Sequence, residues 1–362
     1  MVSVAETDLR RHKRKADGMA DKELVALTLA GALVLGTSAT RAAADPVADF
    51  YRGRTVTFVI GSGEAGAYDL GGRLMARHLA RFIPGHPTIV PQNMPGASST
   101  RAASYLYGVA PRDGTALGTA QPTIVLHKLL DPTAAYEAKR YTWIGRMQPM
   151  TLVGVAWTGA ADHTMADARD RKLIVSASGA SGTSAIVPWA LNRLAGTHFQ
   201  VVTGYQSVVP QLLAMERGEV EGVGSAGLSD VLARGDWVKT GKVSFLYTIA
   251  AKRSRQLPDV PAITEFARSD LDRTVLQLLG SVTDIGFTIM APPDVPADRA
   301  ASLRKAFDDM VHDARFRAEA GKIGLDPEPQ SGDELAQSVA GTLGAAGAAV
   351  QKLRQVTEPV RY

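Results

Sequence analysis

Three segments place glycines and hydroxyl side chains directly after a β-rich run and directly before a helix-like start. They are Thr55 to Asp69 (TVTFVIGSGEAGAYD), Thr88 to Thr100 (TIVPQNMPGASST) and Leu173 to Ser184 (LIVSASGASGTS). A loop that drops the chain from a strand onto a helix N-terminus presents backbone N–H groups without intrahelical partners, at the positive end of the helix dipole. Such a junction seats an anion. Ser62, Ser98, Ser178, Ser181, Thr183 and Ser184 add hydroxyls beside those amides, and a carboxylate needs only a few well-aimed donors. Any one of these loops also fits a tight turn with a Ser or Thr cap; three in one chain point to an anionic small molecule gripped from more than one side.

Catalytic readings fit these residues less well. Gly61-Ser-Gly63-Glu-Ala-Gly66 spells the dinucleotide pattern GxGxxG between a strand and a helix, the context that motif needs. A nucleotide fold then requires an acid at the end of its second strand to hold the ribose, whereas this strand ends Gln92-Asn93-Met94-Pro95. Glu64 puts negative charge where a pyrophosphate would lie, and Gly222 to Gly227 (GVGSAG) repeats the pattern in a chain with 35 glycines. An NAD-linked oxidoreductase using the Gly61–Gly66 loop is the alternative reading. Gly179-Ala-Ser181-Gly-Thr183 misses the GxSxG nucleophile form at its last position. His78 falls mid-helix, His86 and His198 fall in turn-like segments, and none is paired at metal-ligand spacing. No cofactor, metal or catalytic residue is expected.

The elements that must carry these loops alternate. Strand Thr55–Ile60, helix Leu70–Ile83, a strand at Ile89 and Val90, helix Ser99–Tyr107 and strand Ala116–Thr119 form one βα series. A second series runs strand Leu173–Ser176, helix Ser184–Leu194, strand Gln200–Thr203, helix Val208–Arg217 and strand Val220–Gly224. Alternation at this spacing predicts mainly parallel sheets flanked by helices. The apolar runs Tyr141–Trp157 and Lys242–Ala250 bracket the second series and read as two crossover strands into and out of an inserted domain. Residues 45–147 plus 250–362 are assigned to domain 1, and 148–249 to domain 2. The tail adds strand Gly286–Met290, a helix after Pro296, and a final helix opening at Ser331-Gly-Asp-Glu334 with capping-box spacing.

With 362 residues, 45% of them hydrophobic, the chain can bury two substantial cores. Its formal charge is +4, but residues 1–44 hold seven Lys/Arg and five Asp/Glu, so the remainder carries only 33 against 31. That is no nucleic-acid footprint. Leu24–Thr37 is an apolar run of 14 residues that ends in small residues, with Ala42 and Ala44 spaced for cleavage. It is too short to span a bilayer and reads as a secretory signal over residues 1–44, with Met19 as an alternative start. The absence of cysteine removes disulfides and a lipidated cysteine anchor, so the mature chain is expected in the periplasm, unanchored.

A resemblance runs nearly the length of the mature chain. Tyr51-Arg-Gly-Arg54, Gly66-Ala-Tyr68-Asp69, Arg73-Leu-Met-Ala-Arg77-His78-Leu79, Ile83-Pro84-Gly85, Gln92-Asn93-Met94-Pro95-Gly96-Ala97 and Ala110-Pro-Arg-Asp113-Gly114 occur in that order. They are followed by Ser178-Gly179 with Gly182-Thr183, Gly204-Tyr205, Ala214-Met-Glu-Arg-Gly218-Glu-Val-Glu-Gly222, Leu257-Pro-Asp-Val-Pro261 and Met290-Ala-Pro-Pro-Asp-Val-Pro-Ala297. Together they resemble the solute-binding receptors of tripartite tricarboxylate transporters, the Bug proteins.

The resemblance implies a two-domain Venus-flytrap α/β protein, type II-like, that closes on a di- or tricarboxylate or an aromatic acid. Delivery to a permease with large and small membrane subunits, and a monomeric receptor, follow from the same likeness; a carboxylate-sensing module for a signalling partner is the other use of such a fold. Carried over by position, the ligand set in the first domain is Ala65, Gly66, Ala67, Asp69, Gly96, Ala97 and Ser98. In the second domain it is Ser178, Gly179, Ser181, Gly182, Thr183, Tyr205 and Gln206. Ser62, Tyr68, Gln121, Ser184 and Ser225 complete the expected set. Asp69 reads first as the N-cap or first-turn acid of the helix it opens, with ordering of waters or of a cationic ligand group as the sharper alternative. Family members commonly carry a second glycine where Ala67 stands and Gly-Gly where Ser98-Ser99 stand, so these loops depart from the pattern.

Overall fold

The computed structural model describes residues 45–158, 164–345 and 347–358; the expected signal segment lies outside them. Along the chain the elements are β1 (Thr55–Ile60), α1 (Ala67–Leu79), β2 (Thr88–Asn93), α2 (Thr100–Gly108), β3 (Ala116–Thr119), β4 (Thr142–Gln148) and β5 (Leu152–Trp157). There follow β6 (Leu173–Ala177), α3 (Thr183–Ala195), β7 (Phe199–Thr203), α4 (Val208–Glu216), β8 (Gly222–Gly227), α5 (Leu228–Leu232) and β9 (Val243–Thr248). The chain ends with α6 (Asp270–Ile285), β10 (Phe287–Ala291), α7 (Ala297–His312), α8 (Ala314–Lys322), β11 (Gln330–Ser331), α9 (Gly332–Leu343) and α10 (Gly347–Thr357).

Two sheets result, one per lobe. The first has the order β11-β4-β10-β3-β1-β2 and the second β7-β6-β8-β5-β9. β1, rich in β-branched and aromatic residues, lies between β2 and β3 and pairs parallel with both. β6 is placed in the same way between β7 and β8. The remaining pairs, β3 with β10, β10 with β4, β4 with β11, and β5 with β8 and β9, are antiparallel. The sheets are therefore mixed. Parallel pairing holds where βα alternation dictates it, and the antiparallel half is built from strands beside the crossings between lobes, which that alternation does not describe.

The outward crossing takes only Pro149 to Thr151 between β4 and β5. The return differs from the expected crossover strand: β9 belongs wholly to the second sheet, and a loop followed by α6 leads back to β10. The tail also departs from expectation. The capping box forms, with Ser331 Oγ accepting from Glu334 N and the Glu334 carboxylate accepting from Ser331 N. The helix it opens then stops at Gly344 and α10 follows, as the weak propensity of the Gly/Ala-rich stretch allows. α10 fastens across the molecule: Arg193 of α3 donates to the carbonyls of Val356 and Glu358, Lys352 pairs with Asp272 of α6, and Arg354 donates to the Leu129 carbonyl.

Close helix–sheet contact is set by small residues. A Cβ on Gly72 of α1 would meet Ile60 at 3.0 Å, and α3 approaches Gly224 of β8 through the Ser184 carbonyl. Pro188 deprives that carbonyl of its usual helical donor.

Candidate functional site

The loops leaving the carboxyl ends of β1, β2 and β3 meet those leaving β6, β7 and β8, the edge at which open α/β sheets hold ligands. Direct bonds join the two lobes there. Gly63 N donates to the Gln206 carbonyl at 3.0 Å, and Ala67 N donates to Asp230 Oδ1 at 2.8 Å. Ser98 Oγ lies 3.1 Å from Ser178 Oγ and donates to the Gly179 carbonyl at 3.3 Å, and Ser181 Oγ donates to the Ala97 carbonyl at 3.0 Å. The cleft is shut.

Inside it lies a cavity of about 50 Å³, room for roughly four waters. From the first lobe it is lined by Ser62, Gly66, Ala67, Tyr68, Gln121 and Pro122, and from the crossing and β5 by Met150 and Leu152. The second lobe contributes Ser178, Thr183, Ser184, Ser207, Val208, Gln211, Ser225, Ala226, Gly227 and Asp230. Hydroxyls and apolar groups dominate, and no lysine, arginine or histidine is among the lining residues. Positive potential comes from helix ends instead. α1 and α3 each begin after a glycine N-cap, Gly66 and Gly182, without any side-chain cap, so their first-turn amides are left for another acceptor. A Ser or Thr cap at these two ends is thereby excluded.

The first loop is braced from within its own lobe. Asp69 is buried and accepts from Ala65 N at 3.0 Å, Arg73 Nε at 2.8 Å and Asn93 Nδ2 at 2.8 Å, and Asn93 Nδ2 also reaches the Ser62 carbonyl. Asp69 therefore shapes the loop and does not line the cavity. Asn93, where a nucleotide fold would carry its ribose acid, serves as a strut. Tyr68 stacks at a tilt on Phe287 and donates to Met150 Sδ at 2.8 Å. Burial, with Asp230 nearby, pushes its hydroxyl well above the ordinary range and keeps it protonated.

The second loop takes a less common conformation. Ala97, Ser98 and Ser99 all have positive φ, at 45°, 53° and 72°, the left-handed region that disfavours side chains. Ser99 Oγ offsets part of that strain by donating to the Gly61 carbonyl at 2.7 Å and accepting from Gln121 N at 3.0 Å. Serines thus stand where a glycine pair would be unstrained.

Of the expected ligand residues, Ser62, Gly66, Ala67, Tyr68, Gln121, Ser178, Thr183, Ser184 and Ser225 come together on the cavity. Ala65, Asp69, Gly96, Ala97, Ser98, Gly179, Ser181, Gly182, Tyr205 and Gln206 do not line it. The reason is physical for most of them: the Gly96–Ser98 loop is spent on the Ser178–Gly182 loop, and Gln206 on Gly63. His78 is structural, buried with Glu319 at 3.1 Å.

Sequence reading missed Asp230, Gln211, Ser207, Val208, Met150 and Leu152. Asp230 matters most. It sits in the first turn of α5, and burial pushes its carboxyl up to about 6, against the opposing pull of the Ala67 and Gly227 amides and of Arg234. The one signal available was an acid three residues past a glycine-ended strand, Gly227-Leu-Ser-Asp230.

The sequence profile of the TctC family, described as tripartite tricarboxylate transporter family receptor, matches residues 73–354. This chain belongs to that family. No curated protein sequence matches the receptor. Among solved structures it is similar to MatC (Rpa3494) from Rhodopseudomonas palustris with bound malate, at 23% identity and TM-score 0.65 over 84% of this chain and 99% of that one. Rpa4515 from R. palustris with adipate matches at 22% identity and TM-score 0.65, covering 84% and 97%. The periplasmic binding protein BugD matches at 16% and 0.67, covering 84% and 98%. These likenesses establish the two-domain periplasmic-binding fold of the receptor.

Proposed function

We propose that this receptor works in the periplasm, captures a small organic carboxylate between its lobes and delivers it to a permease with large and small membrane subunits. The observation that carries the reading is that two helix ends with glycine N-caps meet on a hydroxyl-lined cavity with no basic side chain, α1 with its first amide already holding the Asp230 carboxylate and α3 without a side-chain cap. Such a site holds a carboxylate through backbone dipoles and hydroxyls, and it accords with the malate and adipate held by the two R. palustris neighbours. In this reading the lobes correspond to residues 45–147 plus 250–362 and residues 148–249. Contacts made only in the closed form, such as Ser98 with Ser178, favour closure once a solute is present. Among the described residues no helix is long and apolar enough to cross a membrane, which suits a receptor that hands its solute to separate membrane subunits.

A thermal-shift screen of mono-, di- and tricarboxylates tests the reading. Stabilisation by at least one acid, with none by neutral sugars or NADH, is the expected result. Failure of every acid alongside binding of a sugar or nucleotide would overturn it.

A further inference from the structure

The closed cavity carries more acceptors than a bare carboxylate can use. Asp230 lines it with a carboxylate whose bonds are to backbone amides, and Arg234 acts on it through space without an ion pair. Gln211 lines the same cavity and is only 2% exposed. Its Nε2 donates to the Ser207 carbonyl at 3.1 Å, which fixes the amide's orientation, and its Oε1 is buried without a hydrogen bond to the protein. A buried acceptor left unmatched is costly. A second bare negative charge beside Asp230, in a cavity without a cation, is disfavoured as well. Both difficulties end if the solute brings its own cation.

We propose that the solute is an amino carboxylate, whose ammonium is received by Asp230 with Gln211 as second acceptor while its carboxylate lies at the amino end of α3, among Ser178, Thr183, Ser184 and Ser225. This rests on the carboxylate-receptor reading and narrows it. An ammonium supplies three donors and sets one positive charge against the two negative ones. The amino end of α3 is the seat left to the carboxylate, because Asp230 already holds the first amide of α1.

The test is calorimetric titration of the full-length protein with matched acids: aspartate, malate and succinate, then 4-aminobutyrate and butyrate, then the amino counterpart of whichever acid most stabilises the protein in the thermal-shift screen. The amino member of a set is expected to bind about tenfold tighter or more than the unsubstituted one, with malate close to succinate. Asp230→Asn, checked for folding by its melting curve, should bring the ratio to about one. Gln211→Leu should lower it by less. Tighter or equal binding of the unsubstituted or hydroxy acid, or an amino preference that survives Asp230→Asn, overturns the proposal while leaving a carboxylate receptor standing. If no acid of any series binds, the receptor reading itself falls and this inference with it. The wild-type comparison decides the matter even if the variant does not fold.

Discussion

The β1–α1 and β6–α3 junctions are nearly the same object locally, yet they end in different roles. Each leaves a strand with a parallel neighbour on either side, enters a 13-residue helix through a glycine N-cap in extended conformation, and lacks a side-chain cap. At α1 the other lobe supplies Asp230, which takes the Ala67 amide. At α3 the other lobe supplies Ser98, which packs on Gly179 and Gly182 and bonds Ser178 without filling the helix end. Local sequence makes the anion seat, and the opposing lobe decides what occupies it. Both loops bond across the cleft, but within its own lobe the first is braced by the charged cluster of Asp69, Asn93 and Arg73, whereas the second has Ser178 N donating to Ser184 Oγ.

Gly182→Val should strike the second junction hardest. A Cβ there falls inside contact distance of Ser98 Oγ, and overpacking of roughly 1–3 kcal/mol would weaken acid binding by about fivefold to 150-fold. The melting temperature of the free protein should change less, because the contact relieved lies between lobes; an unaltered affinity would show that the two loops need not meet.

Asn93→Ala tests the internal brace. Removing the amide leaves part of buried Asp69 unmatched, a loss of about 1–3 kcal/mol that denaturant unfolding should register with or without ligand. A stability unchanged within error would mean that the contacts across the cleft, not this brace, hold the first loop.

Gly66→Ala is a smaller intrusion, since its Cβ would meet Val208 Cγ1 at 3.3 Å. Gly66 is buried against Val208 of the second lobe, so the effect belongs to closure. A several-fold weaker affinity with an unchanged melt is anticipated, at the low end of overpacking costs.

The smallest effect concerns pH. The closed form raises Asp230 from 3.8 to about 6, so it binds a proton more readily than an open, solvated form. Closure of the free protein is therefore favoured at about pH 4 and loses that advantage as pH climbs through 6, levelling above it. Small-angle scattering across this range should show a slight expansion with rising pH that Asp230→Asn abolishes. A wild-type profile with no slope would mean that Asp230 is as solvated closed as open.

Much of this was open to reading in the residues. β1 and β3 occupy their expected positions, β1 because a β-branched run ended by turn residues leaves little choice and β3 because the Pro-Arg-Asp-Gly turn precedes it, and Ser331 and Glu334 form the box their spacing announces. α1 begins three residues earlier than its apolar periodicity suggests, because Gly66 rather than Asp69 serves as its cap. The site was half legible. Residues in loops that carry their own signal, such as Ser62, Gly66, Thr183 and Ser184, are among both the expected set and the cavity lining, whereas Asp230 reaches Ala67 across 163 residues and no local pattern announces such a contact. The antiparallel strands were missed for the same reason, since register between distant segments is a tertiary property.

A carboxylate seated on a helix end should keep the cleft shut around it. Scattering from the full-length protein, before and after addition of the acid that gives the largest thermal shift, tests it directly. A smaller radius of gyration with the acid is expected in wild type, and none of that change in Gly182→Val. Compaction of equal size in both proteins, or an acid that binds wild type and leaves it unchanged or expanded, would contradict it.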